Sequence, residues 1–278
     1  MIALRALDED YPARLRDLAP SPDPIWIDGQ VAVLGRPCIA IVGTRRMSPY
    51  GERVARELAA DLAAAGAVVV SGLAQGIDCV AHASALDAGG ASVAVLGEGI
   101  TSFLANAHGR RRRLAASLCG AGALVSPYPP IAPAQGWMFA KRNAVIAALA
   151  QAVVVAEAPN GSGALITAAA AVRLGRPLFA VPGPLGARTG EGTNALIAAG
   201  TARACLGGAH IARAIGLTAA RQAAPVDPLL DALAAGPLDL DGLASRLRTE
   251  RSAIRAHLVS LVLAGAVVDR GDGRFSRA

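Results

Sequence analysis

The chain has 278 residues, 53% of them hydrophobic and only 3% aromatic, with 27 basic residues against 21 acidic ones. That length allows one large domain and a small one, with a core built mainly from Ala, Val, Leu and Ile. No run of ~18 apolar residues is present to span a membrane, and Asp8, Glu9 and Asp10 stand where a signal peptide needs an apolar stretch, so a cytoplasmic location is expected.

Cys38, Cys79, Cys119 and Cys205 are isolated, with no C-x-x-C pair, and read as small buried residues of a reducing compartment. No metal-ligand cluster, catalytic triad or cofactor fingerprint is present, so no cofactor, metal or catalytic residue is expected. All the basic residues but Lys141 are arginine. Residues 1–35 carry a net −3, residues 36–216 a net +8, and residues 226–278 are balanced. Positive charge concentrated in the middle of the chain suggests a polyanionic partner there.

In chain order, residues 1–35 read as a lead-in that packs on the main domain. It holds a short helix over 11–18, a proline-rich link and an edge strand at Ile25-Trp26-Ile27. From 36 to 216, apolar runs at 39–42, 68–71, 92–96, 123–126, 152–156 and 177–181 alternate with helical patterns at 51–65, 77–88, 110–118, 143–149 and 165–174. This alternation predicts a parallel sheet covered on both faces, an α/β fold of the doubly wound, Rossmann-like kind. Residues 217–226 form a linker. Residues 227–278 read as a small winged-helix domain, with helices over 228–235, 240–247 and 251–263 and a hairpin over 267–275 that turns at Asp-Gly. Arg251, Arg255 and His257 are its outward-facing candidates for contact with DNA, and protein contact is an equal alternative.

The loops that follow the strands concentrate glycine and charge: Gly43-Thr44-Arg45-Arg46, then Ser71-Gly72, Gly97-Glu98-Gly99 and Gly161-Ser162-Gly163. Parallel sheets bind ligands at this edge, and glycines there let a ligand approach the backbone. Ser48 and Pro49 suit the start of a helix after the first loop, and a helix N-terminus flanked by two guanidinium groups is a ready anion site. Lys141-Arg142-Asn143 is expected to open a helix after Phe139, where cations oppose the helix dipole unless an anion sits nearby. Asp78 is assigned to helix-dipole stabilisation in preference to an acid–base pair with His82, and Arg110–Arg113 to a solvated face.

These segments resemble the DNA-processing protein A (DprA/Smf) family. Ile39–Gly51 resembles its G-S-R-x-x-[ST]-x-Y-G signature, with Thr44 for Ser. Ser71-Gly72-Leu73-Ala74-Gln75-Gly76-Ile77-Asp78 matches S-G-x-A-x-G-I-D. Phe139–Asn143 resembles F-P-x-R-N-R, Ser162–Ala168 resembles S-G-S-L-I-T-A, and Ala180-Val181-Pro182-Gly183 matches A-V-P-G. The departures are Ala140 for the proline and Ala144 for the second arginine of F-P-x-R-N-R, Leu104-Ala105-Asn106-Ala107-His108 for Y-P-x-x-N, Pro127 for an acid and Ala164 for a serine. No counterpart of the N-terminal helical domain common in the family is expected from these residues.

The resemblance implies an extended Rossmann fold, often dimeric, that binds single-stranded DNA and helps load a RecA-type recombinase during DNA uptake and recombination. It places Arg45 or Arg46, Lys141 and Arg142 in the strand-binding pocket and makes Phe139 a stacking partner. The expected nucleic-acid-binding set is therefore Gly43, Thr44, Arg45, Arg46, Ser71, Gly72, Phe139, Lys141, Arg142, Asn143, Gly161, Ser162 and Gly163. The rival reading is a nucleotide-binding or phosphoribohydrolase-like enzyme of the related LOG fold. It is disfavoured because Ile166 and Thr167 stand where such enzymes need a glutamate.

Overall fold

Strands of unbroken Val, Ile and Ala have no face to offer water, and they become the interior of one sheet. In a computed structural model, which describes residues 1–217, 227–263 and 266–277, the chain forms two compact units, Met1–Ala220 and Arg221–Ala278.

The first unit begins with β1 (Ile2–Leu4), β2 (Ile25–Gly29), β3 (Cys38–Gly43) and α1 (Pro49–Ala64). It continues through β4 (Val68–Ser71), α2 (Ile77–Asp87), β5 (Ser92–Val95), α3 (Ile100–Asn106), α4 (Gly109–Ala121) and β6 (Ala123–Ser126). Then come α5 (Gly136–Leu149), β7 (Ala152–Glu157), α6 (Ala164–Arg173), β8 (Leu178–Ala180), α7 (Glu191–Ala198), β9 (Arg203–Ala204) and α8 (Gly208–Ala214). The sheet has nine strands in the order β1-β2-β6-β5-β4-β3-β7-β8-β9. All pairings from β6 to β9 are parallel; β1–β2 and β2–β6 are antiparallel.

Alternate residues of each central strand face opposite cores. Ala40, Val42, Val70, Val153 and Val155 pack on the side of α5 and α6, while Ile39, Ile41, Val69, Val154 and Phe179 pack on the side of α1, α2 and α8. The fold is thus the expected α/β arrangement. The strand order runs outward from β3 in one direction and from β7 in the other, so the crevice between their carboxyl ends is the topological switch point.

Three local expectations differ from the structure. The segment 11–18 forms only a 3-10 turn at Ala13–Asp17, because prolines on both sides leave too few residues to nucleate a longer helix. The strand at Ile25–Gly29 is internal to the sheet, flanked by β1 and β6. Its Ile25 and Ile27 enter the same core as the central strands, a partner choice that no local pattern encodes. The helix carrying Lys141 begins at Gly136, so Lys141-Arg142-Asn143 lie in its second turn and do not open it.

The second unit contains α9 (Pro228–Ala232), β10 (Leu238–Asp239), α10 (Leu240–Leu247), α11 (Arg251–Leu263), β11 (Val267–Asp269) and β12 (Arg274–Arg277). Its strands form an antiparallel sheet in the order β10-β12-β11. Leu229, Leu243, Ile254, Leu258 and Val267 form its core. All but Leu217 of the expected linker 217–226 lies outside the described residues.

Candidate functional site

At the switch point β3 slips register against β7 between Val42 and Gly43, which brings Gly43 opposite Glu157. The loop that follows is fixed from below. Thr44 N–H donates to Glu157 O at 2.8 Å, and the Thr44 carbonyl accepts from Ile77 N–H at 3.2 Å. Gly76, at φ +88°, permits this seating, since a Cβ there would strike the Arg45 backbone at 2.8 Å. With its backbone held, the loop leaves Arg45 and Arg46 exposed, and neither guanidinium has an ion pair or hydrogen bond among the described residues.

The helix N-terminus beside this loop is already supplied with an anion. Ser48 N–H and Oγ–H donate to the two carboxylate oxygens of Glu157 at 2.8 and 2.6 Å, and Ser48 Oγ caps α1 by accepting from Gly51 N–H at 3.1 Å. Glu157 is buried. The anion site expected at this helix is therefore filled by the protein's own carboxylate, which satisfies the dipole internally.

Arg142 forms the floor. It is 4% exposed and donates from Nη1 to the carbonyls of Gly72 (2.6 Å) and Val95, with Nε on Asn143 Oδ1 (3.2 Å). A Cβ on Gly72 would collide with the guanidinium, so a larger residue there would push Arg142 off its hydrogen bonds. From below, the buried carboxylate of Asp78 accepts Gly72 N–H at 3.1 Å and Ala74 N–H at 3.4 Å. Between them Leu73 sits at φ +53° with its side chain fully buried and its carbonyl held by Arg111 Nε at 2.9 Å. A left-handed leucine costs about 1–2 kcal/mol and persists only where its surroundings over-determine it. Here three charged side chains do so. Burial raises the Asp78 pKa while Arg142 and the two amides oppose that rise; burial lowers that of Arg142. Asp78 thus shapes a loop, a tighter role than the dipole stabilisation expected of it.

The far wall is the Asn160–Gly163 loop before α6. Asn143 Nδ2 donates to Gly163 O at 3.1 Å, tying this loop to α5, and Ser162 Oγ accepts from Ala164 N–H at 3.3 Å. Together the walls enclose a cleft of about 630 Å³. Ten of the thirteen expected residues line it: Gly43, Thr44, Arg45, Arg46, Phe139, Arg142, Asn143, Gly161, Ser162 and Gly163. Three do not. Ser71 is buried and donates to Ile41 O at 2.6 Å, a bridge between β4 and β3; Gly72 lies behind Arg142; Lys141 is exposed, with its ammonium 4.9 Å from the Trp137 ring centroid. Arg142 lines the cleft, but its hydrogen bonds go to the protein.

Elsewhere, His82 donates from Nδ1 to Ser92 Oγ (2.7 Å), whose own proton goes to Val69 O, leaving Nε2 buried without a partner. Burial pushes its pKa down to about 3. In the second unit Arg251 pairs with Asp241 at 2.8 Å and His257 with Asp227 at 2.9 Å, while Arg255 is exposed. Among the described residues no group of three His, Cys, Asp or Glu side chains is placed to hold a metal, and no helix is long and apolar enough to cross a membrane. Glu157, an acid ending an apolar strand, binds Ser48 and, among the described residues, no cation, and the contact of Trp137 with Tyr128 is one that no motif singles out.

A doubly wound sheet with a glycine-walled cleft at its switch point, and two exposed arginines on the lip that have no partner among the described residues, defines a Rossmann-like protein. The chain belongs to the DNA recombination-mediator protein A family, whose profile matches residues 3–216. It is 43% identical over 194 residues to protein Smf of Escherichia coli K12, covering 69% of this chain and 51% of that protein. It is 36% identical over 179 residues to DNA processing protein DprA of Bacillus subtilis, covering 64% of this chain and 59% of that one. The chain thus spans about half the length of these curated relatives. Among solved structures, DprA of Streptococcus pneumoniae superposes with a TM-score of 0.71 at 33% identity, covering 76% of this chain and 73% of that one. DNA processing protein A of Helicobacter pylori, a structure addressing its single-stranded DNA binding mode, gives 0.68 at 26% identity, covering 77% and 94%.

Proposed function

We propose that the chain is a sequence-independent single-stranded DNA-binding protein that acts as a recombination mediator. The observation that carries this reading is the pair Arg45 and Arg46, exposed and without a partner among the described residues, on the lip of a cleft of about 630 Å³ otherwise walled by glycine loops and Phe139. Their guanidinium groups are free to hold phosphates, and the glycine walls admit the backbone. Phe139, half-buried in the lining, offers a face for one base. The names of the relatives support the same reading.

On this reading the protein acts in the cytoplasm, binds as a homodimer and passes the strand to a RecA-type recombinase without catalysing a reaction. The cleft supports the last point. Among its lining residues the one acid is Asp78, whose carboxylate is committed to two backbone amides, and Ile166 and Thr167 stand where a phosphoribohydrolase would need its glutamate.

Fluorescence anisotropy with single-stranded and duplex oligonucleotides at two salt concentrations tests the proposal. Tighter binding of the single strand is expected, with log K falling by about 0.7 per decade of salt for each phosphate held. Equal or tighter binding of duplex overturns it.

A further inference from the structure

We propose that Trp137, with Lys141, forms a base-stacking platform for a nucleotide lying just outside the cleft, in addition to any contact at Phe139. The inference rests on the single-strand-binding reading above.

The chain holds two tryptophans. Trp26 is half-buried against the core around Phe103, whereas Trp137 is 53% exposed. It lies in the first turn of α5, the helix whose Gly136, Ala140 and Asn143 line the cleft. Successive residues are about 100° apart around a helix, so Trp137 and Lys141, four apart, form the stripe next to that lining. A strand leaving the cleft along α5 meets this stripe next.

The indole is held in place before any ligand arrives. Its Nε1–H donates to Gln135 Oε1 at 2.6 Å, and Tyr128 packs against it edge-to-face, ring centroids 6.0 Å apart at 88°. Tyr128 is itself anchored, its hydroxyl donating to Met138 O at 3.0 Å. A ring held this way loses little side-chain entropy on binding. The Lys141 ammonium, 4.9 Å from the ring centroid, sits on a flexible stem and can swing to the phosphate beside a stacked base. An aromatic surface beside a mobile cation, continuous with an arginine-lipped cleft, suits an unpaired nucleotide. Stacking on π-faces is sequence-tolerant.

The test uses the full chain carrying Trp26→Phe, so that Trp137 is the sole emitter, titrated with a (dT) oligonucleotide and with an abasic strand of equal length. Saturable quenching by (dT) and much less by the abasic strand is expected. Trp137→Ala is expected to bind (dT) roughly tenfold more weakly, since a stacked base contributes that much. Its salt slope should not change, because stacking neutralises no phosphate, and Trp137→Phe should restore most of the affinity. If (dT) binds by anisotropy while the emission stays constant and Trp137→Ala binds like the parent, the platform is wrong and the single-strand reading stands. If (dT) does not bind at all, both fall.

Discussion

Arg142 and Arg45 line the same cleft with the same side chain, yet they serve opposite ends. Arg142 is buried, and its hydrogen bonds go to Gly72, Val95 and Asn143, so it holds together the ends of β4 and β5 and the wall of α5. Arg45 is exposed at the end of β3 and contacts no acceptor among the described residues. The acids stand with Arg142 in this division: Asp78 and Glu157 are both buried and both bound to backbone amides around the site. The floor of the cleft is thus a self-satisfied polar network, and the lip is what remains free to meet a ligand. Charge near a site does not by itself mark a binding residue; the count of its internal partners does.

The sharpest way to break this comparison is Arg142→Met. It leaves the Gly72 and Val95 carbonyls unpaired and removes the cation that moderates buried Asp78, so unfolding in urea should show a loss of about 3–5 kcal/mol. If the variant unfolds like the parent but binds single strands weakly with a flatter salt slope, Arg142 belongs to the lip.

Glu157→Gln should come next. The amide keeps one acceptor for Ser48 but turns an NH2 toward a second donor, and charge-assisted hydrogen bonds are lost at the cap of α1. A loss of about 2 kcal/mol is expected, since hydrogen bonds to charged groups contribute roughly 1.5–3 kcal/mol. The salt slope of DNA binding should not move.

Arg45→Gln should do the reverse. Thermal unfolding stays where it is, affinity for a single strand falls roughly tenfold, and the salt slope flattens by about 0.7, the value of one phosphate contact. An unchanged slope would show that Arg45 holds no phosphate and that the lip is only a solvated surface.

The parallel sheet and the gathering of glycine loops at one edge were legible in sequence because they are written in local pattern: unbroken Val/Ile strands such as Val68–Ser71, and glycine directly after them. The lip was legible for the same reason, since Arg45 and Arg46 follow a strand that could end nowhere else. The floor was not. Whether Arg142 points to solvent or to the Gly72 carbonyl depends on where α5 begins, and that start at Gly136 carries no side-chain cap to announce it. Glu157 finds Ser48 across 109 residues of sequence, and Asp78 finds the Gly72 amide only after Leu73 takes a left-handed turn. Partners of single polar residues, whether six or 109 positions away, follow no period that the sequence displays.

The smallest expected effect concerns His82, which shares the buried surroundings of the floor and none of its solvent access. Its Nδ1 proton is fixed on Ser92, whose hydroxyl proton is already given to Val69, so protonating Nε2 would place a charge with no acceptor in the core. The folded-state pKa is accordingly pushed down to about 3. Unfolded chains take up this proton near 6.5, so the stabilisation is complete above that pH and is lost as pH falls from 6.5 toward 3. Between pH 7.5 and 6.0 the loss is about 0.8 kcal/mol. Asp78 works in the other direction: its raised pKa stabilises the folded state on acidification and loses that contribution as pH rises through the folded value. The raw pH profile therefore mixes two signs, and the informative quantity is the difference between the parent and His82→Leu in urea melts at the two pH values. The parent should weaken by that amount relative to the variant. Equal change in both would mean that His82 is solvated when folded and that the polar interior under the cleft is less sealed than its hydrogen bonds imply.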